Sequence, residues 1–209
     1  MSFFASCDAS ILYSLHGHIG RCFDIRADSS MTRALTCSED GTARLWDIQR
    51  RKELFMFDHS TTDEVLRCAI LDESCSAICT AGADGKAILW ALDSNAGESF
   101  YVPTFELNHK DQIYSCEGLS NGRLLTAADD EVHIWDLEHA FKGSVGFRFE
   151  NIDDSASRVF GGERNPDNKA FVFDAKVNPM DESTIAVALS DGTLRIIDIK
   201  QKISPGALS

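Results

Sequence analysis

A repeat of one short segment, present in four copies, is the feature that most constrains how this chain of 209 residues can fold. The copies read ALTCSEDGTARLWD at residues 34–47, ICTAGADGKAILWA at 78–91, LLTAADDEVHIWD at 124–136 and IAVALSDGTLRIID at 185–198. Tryptophan recurs at positions 46, 90 and 135, and Ile197 takes its place in the last copy. The spacings from 46 to 90, 90 to 135 and 135 to 197 are 44, 45 and 62 residues, which indicates one structural unit repeated along the chain.

Each copy also has short β-like runs on either side of it. The preceding runs are CFDI, VLRCAIL, QIYSCEGL and FVFDAKV, and the following runs include KELFMF, FYVPTFEL and VGFRFE. Turn residues such as Asp28-Ser29-Ser30 and Ser120-Asn121-Gly122 separate the first run from the repeated segment. The pattern indicates no amphipathic helix of about ten residues or more. Each unit is therefore predicted to be four short antiparallel strands, a to d.

The repeat resembles the WD40 family of β-propellers. The first copy carries the resemblance best, with Gly17-His18 before strand a, Asp40-Gly41 in the turn between strands b and c, and Trp46-Asp47 at the end of strand c. The resemblance covers roughly residues 11 to 200 and implies an all-β fold class of four WD40-type blades, in a single domain over residues 1–209. The approximate repeats are 11–50, 51–94, 101–140 and 145–200.

The resemblance also implies a buried chain of hydrogen bonds in each blade. It joins a histidine before strand a, a threonine in strand b, the turn aspartate and the tryptophan. The members are His18, Thr36, Asp40, Trp46, His59, Thr80, Asp84, Trp90, His109, Thr126, Asp130 and Trp135. The third turn is one residue shorter, so Asp129 is an alternative to Asp130. Because such a chain gives each buried polar group a partner, a structural role is favoured over catalysis or metal binding for these histidines.

The fourth copy departs from this pattern. Val187 and Ile197 occupy its threonine and tryptophan positions, and no histidine matches. We expect this blade to be the least rigid, or to be held by apolar packing alone.

The ends of the array raise the question of closure. Residues 11–18, ILYSLHGH, resemble a strand d without a blade of its own, which could clasp a ring of four blades. Such a ring must turn about 90° per blade, where seven blades turn about 51° each. We therefore predict an open or partial propeller that self-associates, aggregates or requires a partner supplying the missing blades. The side chains expected on its open flanks are Phe23, Leu35, Leu45, Phe171, Ile185 and Ile196.

Composition excludes some broad classes of function. The chain has 20 basic and 33 acidic residues and a net charge of −13, which argues against general nucleic-acid binding. Its seven scattered cysteines favour reduced thiols and a cytoplasmic or nuclear location, or both. The N-terminus lacks the basic region of a signal peptide, and no apolar stretch reaches the roughly 18 residues of a membrane span.

Motifs for chemistry are equally scarce. The sequence has no G-x-S-x-G, no phosphate-binding glycine-rich loop and no H-E-x-x-H. Cys75 and Cys79 lie four residues apart without a second pair, which fits a turn and a strand better than a zinc site. The prediction is a protein that is not an enzyme, with no cofactor, no metal and no small-molecule substrate.

The long spacing before the fourth copy is the most informative departure. The extra residues fall within 151–170, in a connection from strand d to strand a. In the family that this chain resembles, these connections and the b-to-c turns commonly bind partners. A tolerated surface insertion and a partner-contacting loop both remain open for this segment. The candidate partner-binding residues are Arg21, Glu39, Asp63, Lys110, Asp111, Arg158 and Phe160.

Two functions follow from the resemblance. The first is a non-enzymatic scaffold that mediates protein–protein interactions in a multisubunit assembly. The alternative is a substrate receptor of a cullin-type ubiquitin ligase, a class that tends to carry Trp-Asp-x-Arg or Trp-Asp-x-Lys after strand c. This chain departs from that motif, because Gln49 and Glu138 stand at its last position in two copies and Ile197 replaces the tryptophan in another.

Overall fold

The computed structural model describes residues 10–94, 99–120, 122–137, 144–148, 158–159, 163–164 and 170–199. Within these residues the protein is all-β, without a helix, which confirms the predicted fold class. Three antiparallel sheets have four strands each, a further sheet has three, and a two-stranded hairpin lies between the last two sheets in the sequence. We call the four larger sheets blades one to four.

The strands follow the chain in simple up-and-down order within each blade. Blade one comprises β1 (Cys22–Ala27), β2 (Arg33–Ser38), β3 (Thr42–Asp47) and β4 (Lys52–Asp58). Blade two comprises β5 (Val65–Ile70), β6 (Ala77–Gly82), β7 (Lys86–Asp93) and β8 (Phe100–Asn108). Blade three comprises β9 (Ile113–Leu119), β10 (Arg123–Ala128), β11 (Glu131–Asp136) and β12 (Ser144–Arg148). The hairpin is β13 (Arg158–Val159) with β14 (Glu163–Arg164), and blade four comprises β15 (Val172–Val177), β16 (Thr184–Leu189) and β17 (Leu194–Asp198).

Tight turns join the two middle strands of each blade. Gly41, Gly85 and Gly192 adopt positive φ angles of 78°, 76° and 78°, a conformation that glycine reaches without strain. A Cβ atom at Gly41 would lie 2.2 Å from the carbonyl oxygen of Ser60. The connection between blades one and two, which contains Ser60, therefore leaves space only for a glycine at position 41. The third blade has a shorter turn, in which Asp129 takes the positive φ of 52°.

The turns between strands a and b depend on a feature that the sequence analysis treated only as a turn. Asp28 accepts hydrogen bonds from the backbone N–H groups of Thr32 and Arg33, at 2.8 and 2.9 Å. Asp72 accepts them in the same way from Ser76 and Ala77. The signal for this turn is D-x-S-x-S/T, which reads DSSMT at 28–32 and DESCS at 72–76.

The core consists of three buried clusters, each lying between consecutive blades. The first contains Leu35 and Leu45 of blade one with Val65 and Ile78 of blade two. Equivalent clusters lie between blades two and three and between blades three and four. None of these clusters joins blade one to blade four among the described residues. The array is therefore open, which confirms the expectation of an unclosed propeller.

The expected flank residues require a correction. Leu35, Leu45 and Ile185 are fully buried, because they face the neighbouring blade within the chain and not the open end. Phe23 and Phe171 are half-buried, and only Ile196 of that set is strongly exposed. Residues 10–18 have no assigned secondary structure. Within them, Tyr13 donates a hydrogen bond from its hydroxyl to the carbonyl of Ile48 at 3.0 Å.

Candidate partner-binding edge

Blade one contains a continuous line of polar contacts that begins in the connection before β1. His18 Nδ1 lies 3.0 Å from Asp40 Oδ2, and His18 Nε2 lies 2.8 Å from Thr36 Oγ1. The indole N–H of Trp46 donates to the same threonine oxygen at 2.8 Å. A neutral imidazole protonated on Nδ1 satisfies both of its contacts, as donor to Asp40 and acceptor from Thr36. The line ties the entering connection to the b-to-c turn.

Blade two makes the same contacts with the imidazole ring reversed. His59 Nδ1 lies 2.7 Å from Thr80 Oγ1, and His59 Nε2 lies 3.3 Å from Asp84 Oδ1. Trp90 donates its indole N–H to Thr80 at 2.9 Å. The tautomer that satisfies both contacts is therefore the opposite of the one in blade one.

Blade three brings together three members of its predicted chain. His109 Nε2 lies 2.9 Å from Thr126 Oγ1, which also accepts the indole N–H of Trp135 at 2.8 Å. Asp130 is the buried acid of the short turn, and Arg148 Nε lies 3.5 Å from its Oδ2. The alternative, Asp129, is only partly buried. An arginine of strand d thus contacts the turn acid in this blade.

Blade four holds its turn by other means. Val187 is buried, and Ile197 lies opposite Ile185 in the ladder between β16 and β17. The turn acid Asp191 accepts hydrogen bonds from Thr193 and, at 2.6 Å, from the guanidinium of Arg195. A contact within the hairpin therefore holds the turn acid in place of a histidine, and the sequence analysis did not single out either residue. The entering connection still meets this turn, because the backbone N–H of Phe171 donates to Ser190 Oγ and the Ser190 N–H donates to the Phe171 carbonyl, both at 2.9 Å.

The surroundings of Asp40, His59 and His109 lower the pKa values of all three, which favours a charged aspartate and neutral histidines. Partial burial acts to raise the pKa of Asp40, but hydrogen bonds from Thr42, the Ile19 N–H and His18 outweigh it and hold the pKa well below its usual range. Burial lowers the pKa of His59, against the opposing charge of Asp84. Burial, helped by the nearby His133, lowers the pKa of His109 to about 4. His109 is therefore a neutral ring at pH 7.

The b-to-c turns of blades one to three and the connections that enter these blades lie on the same edge. We call this the connection edge; it carries residues 17–21, 39–41, 59–64, 83–85, 109–112 and 129–130. The backbone N–H groups of His59 and Ser60 both donate to the Gly41 carbonyl, and His109 donates to Gly85. The polar chains of blades one and two join the connections of this edge to the b-to-c turns and to strand b, so the backbone of the edge is held against the strands.

Five of the candidate partner-binding residues lie on this edge: Arg21, Glu39, Asp63, Lys110 and Asp111. Arg21 pairs with Glu39 at 2.9 Å and is largely exposed, and that pairing lowers the pKa of Glu39 to about 2. Asp63 accepts a hydrogen bond from Ser60.

Elsewhere on the connection edge, Lys110 and Asp111 are exposed, and Lys110 lines a shallow cleft with Asn108, His109, Glu131 and His133. For Arg158 only the backbone is described, and Phe160 lies outside the described residues. Ile19, which is 93% exposed on the same edge, was missed because a single isoleucine beside Gly20 follows no pattern.

Comparison with known proteins agrees with this architecture. The family model described as "WD domain, G-beta repeat" matches residues 9–47 and 101–136. Together with the repeated four-stranded sheets, this match shows that the chain contains repeats of the WD40 type. The recognition made from Gly17-His18, Asp40-Gly41 and Trp46-Asp47 is thereby confirmed.

Individual relatives are more distant. The chain is 28% identical to coronin-2A of Bos taurus over 131 residues, which is 57% of this chain and 25% of that protein. It is similar to eukaryotic translation initiation factor 3 subunit I of Taeniopygia guttata, 29% identical over 114 residues, covering 54% of this chain and 30% of that protein. For the subunit of Rattus norvegicus the identity is 32% over 103 residues, covering 48% of this chain and 27% of the relative. The matched part of the chain thus spans 25–30% of the length of these relatives.

Two further properties concern membranes and metals. In the part of the chain that the structure describes, no helix has the length and apolar character that crossing a membrane requires. Within that same part, no three side chains of His, Cys, Asp or Glu converge as a group that could hold a metal ion.

Proposed function

We propose that the protein is a non-enzymatic scaffold that binds protein partners through its connection edge, as one component of a multisubunit assembly. The observation that carries this proposal is the anchoring of the edge by the polar chains of blades one and two. A fixed backbone lowers the entropy that an interface loses on binding, so exposed side chains there can form a specific contact.

The chemistry of the edge fits a protein surface. Ile19 offers an exposed apolar anchor with Arg21 two residues along the chain, and Lys110 and Asp111 add exposed charges of both signs elsewhere on the edge. Such a mixture is typical of interfaces in which a few apolar anchors are bordered by polar groups. His59, Asp40 and Glu131 have shifted pKa values, but their side chains form hydrogen bonds within the blades. These contacts favour a structural role for the three groups.

The relatives are consistent with membership of a larger assembly. One of them is named as a subunit of a translation initiation factor. The partners proposed for this chain are proteins, one of which completes the propeller at its open ends. A cytoplasmic location agrees with the six cysteines of the described residues, which are all free thiols.

The test is affinity purification of the tagged full chain from its own cells, followed by identification of the bound proteins. A variant with Ile19→Asp and Lys110→Glu changes the connection edge. A matched control with Glu73→Lys and Met180→Asp changes two exposed residues in a-to-b turns, on the opposite edge. We expect the assembly to be lost only with the first variant.

Two results would contradict the proposal. If both variants retain every partner, the connection edge is not the binding surface. If the main partners are a cullin and its adaptor, the chain is instead a ligase substrate receptor.

A further inference from the structure

The exposed flank of blade four is defined by comparison with the other blades. In each blade, two cross-strand pairs between strands b and c face the following blade. These pairs are Leu35–Leu45 and Cys37–Ala43 in blade one, Cys79–Leu89 and Ala81–Ala87 in blade two, and Leu125–Ile134 and Ala127–Val132 in blade three. All twelve side chains are at most 6% exposed. The corresponding pairs in blade four are Ala186–Ile196 and Ala188–Leu194, in which Ile196 is 63% and Leu194 is 67% exposed.

Blade one exposes the opposite half of the same kind of interface. One residue of strand a lies beside the strand b threonine or its replacement and faces the preceding blade. In blades two, three and four this residue is Cys68, Cys116 or Ala175, and each is fully buried. In blade one it is Ile25, opposite Thr36, and it is 62% exposed. Ile25 of blade one, and Ile196 and Leu194 of blade four, are therefore exposed at positions that meet each other in every interior contact.

The interior contacts show what Ile25 would meet. Cys68 lies against strand b of blade one, with its thiol 3.6 Å from the Leu35 carbonyl oxygen. The residues of blade four that correspond to Leu35 and Cys37 are Ala186 and Ala188. A large side chain at Ile25 thus faces a small pair, where the interior contact places a small Cys68 against a large Leu35. This exchange of volumes keeps the summed size of the contact similar, as close packing requires.

We propose that blade four of one copy of this chain binds blade one of a second copy, and that the reciprocal contact closes the pair as a ring of eight blades. The inference rests on the proposal above that a partner completes the propeller, and it names that partner as the chain itself. A head-to-tail contact is heterologous, and such contacts form a closed ring when the rotation permits. Eight blades lie within the usual range of about 4 to 8.

The limits of the contact are also visible in the structure. Lys176 takes the place on blade four that buried Ala69 has on blade two, and its ammonium lies 3.7 Å from Asp174. The apolar part of the flank is therefore confined to strands b and c. Each copy carries a net charge of −13, so the two repel each other at long range. Added salt screens this repulsion, and the association is expected to strengthen as ionic strength rises.

The test measures the mass of the full chain in solution by analytical ultracentrifugation, between about 1 and 100 μM. The wild-type chain is expected to form a dimer and to stop there. Ile196→Asp and Ile25→Glu change exposed side chains on the two flanks, and each alone should weaken dimerisation at least about tenfold. Met180→Asp, an exposed change in an a-to-b turn, serves as the control and should leave the dimer intact. An unchanged far-ultraviolet dichroism spectrum checks that the variants are folded.

Mixing the two flank variants separates a head-to-tail contact from a symmetric one. The intact blade four of Ile25→Glu can bind the intact blade one of Ile196→Asp, so the mixture should regain a dimer through one contact. A symmetric contact between two copies of blade four would instead let Ile25→Glu dimerise alone, which would overturn the proposal. A monomeric wild-type chain, or an open series of higher oligomers, would overturn it as well.

The outcome is independent of the connection edge. Flank variants that lose the dimer but still recover the assembly would leave the scaffold function standing. Conversely, a wild-type dimer whose connection-edge variant recovers the same partners would refute the scaffold surface and keep the dimer.

Discussion

His109 and His133 meet edge to face in blade three, with their ring centroids 5.2 Å apart. His133 also stacks on Trp135 at 5.4 Å, and its Nε2 lies 2.9 Å from Glu131 Oε2. Burial and the neighbouring imidazole lower the pKa of His109 to about 4, so this ring remains neutral in the folded protein well below pH 7. We therefore expect acid to destabilise blade three.

The first prediction follows from this pKa. In the unfolded chain His109 titrates near its ordinary value of about 6.5, so between that pH and about 4 the unfolded state binds a proton that the folded state does not. The free energy of unfolding should therefore fall as pH decreases through this window, by up to about 1.4 kcal/mol per pH unit for this histidine. His59, whose pKa is also lowered, adds to the effect in the same direction.

Denaturant unfolding at several pH values between about 6.5 and 5 measures the slope of the unfolding free energy against pH. This range lies above the pH at which carboxylates titrate. The pKa values of Asp40 and Glu131 are lowered, so their stabilisation is lost from their ordinary values of 3.8 and 4.5 downward, below this window. His109→Gln should make the slope shallower, whatever its effect at pH 7. An unchanged slope in that variant would show that His109 does not titrate as described.

The second prediction concerns the contact between His18 and Asp40. His18→Ala removes one partner from Asp40 and one from Thr36, and should lower the free energy of unfolding by about 1–3 kcal/mol. His16→Ala, an exposed neighbour, is the control and should have little effect. Equal unfolding curves for the two variants would mean that the polar chain of blade one does not contribute to stability.

The third prediction tests the threonine at the centre of a chain. Thr80 is fully buried and contacts both His59 and Trp90. Thr80→Val keeps the shape but leaves the imidazole and the indole N–H without this partner, which should cost about 1–3 kcal/mol. Thr61→Val, on the exposed connection, is the matched control. A neutral result at Thr80 would assign the stability of blade two to apolar packing alone.

The fourth prediction comes from a non-glycine residue in the left-handed region. Met31 has a φ of 55° in the turn after Asp28, and its side chain is exposed. Met31→Gly removes a strain of about 1–2 kcal/mol and adds up to about 1 kcal/mol of chain entropy in the unfolded state. The variant should be as stable as the wild type or more stable by up to about 1 kcal/mol, as thermal unfolding can show. Met56→Gly, in a strand, should be destabilising, and a loss of stability at Met31 would contradict the turn geometry.

The repeat made the blades predictable, but not the direction in which each face points. Trp46, Trp90 and Trp135 mark the period, and the all-β fold follows from it. Alternation along strands b and c shows that Leu35 and Leu45 share a face, but not whether that face meets another blade or the open end. That depends on the sense in which the blades follow one another, which is a property of packing between sheets.

Some polar contacts could also be predicted from the sequence, and others could not. The residues expected in the polar chains are recognisable from the motif, and the structure brings His18, Thr36, Asp40 and Trp46 together. The contacts of Asp130 with Arg148 and of Asp191 with Arg195 could not be foreseen. They depend on side chains of long reach whose positions no local pattern specifies.

The pairing of Asp191 with Arg195 has a consequence for the length of the chain between blades three and four. In blades one and two the histidine that holds the turn acid belongs to the incoming connection, so a change in that connection's length would displace the histidine. The acid of blade four is held from within its own hairpin, and residues 140–209 contain no histidine. Insertions and deletions before Phe171, whose backbone bonds to Ser190 of the turn, can therefore accumulate during evolution without displacing the group that holds Asp191. The spacing of 62 residues between positions 135 and 197, compared with 44 and 45 elsewhere, includes this connection of variable length.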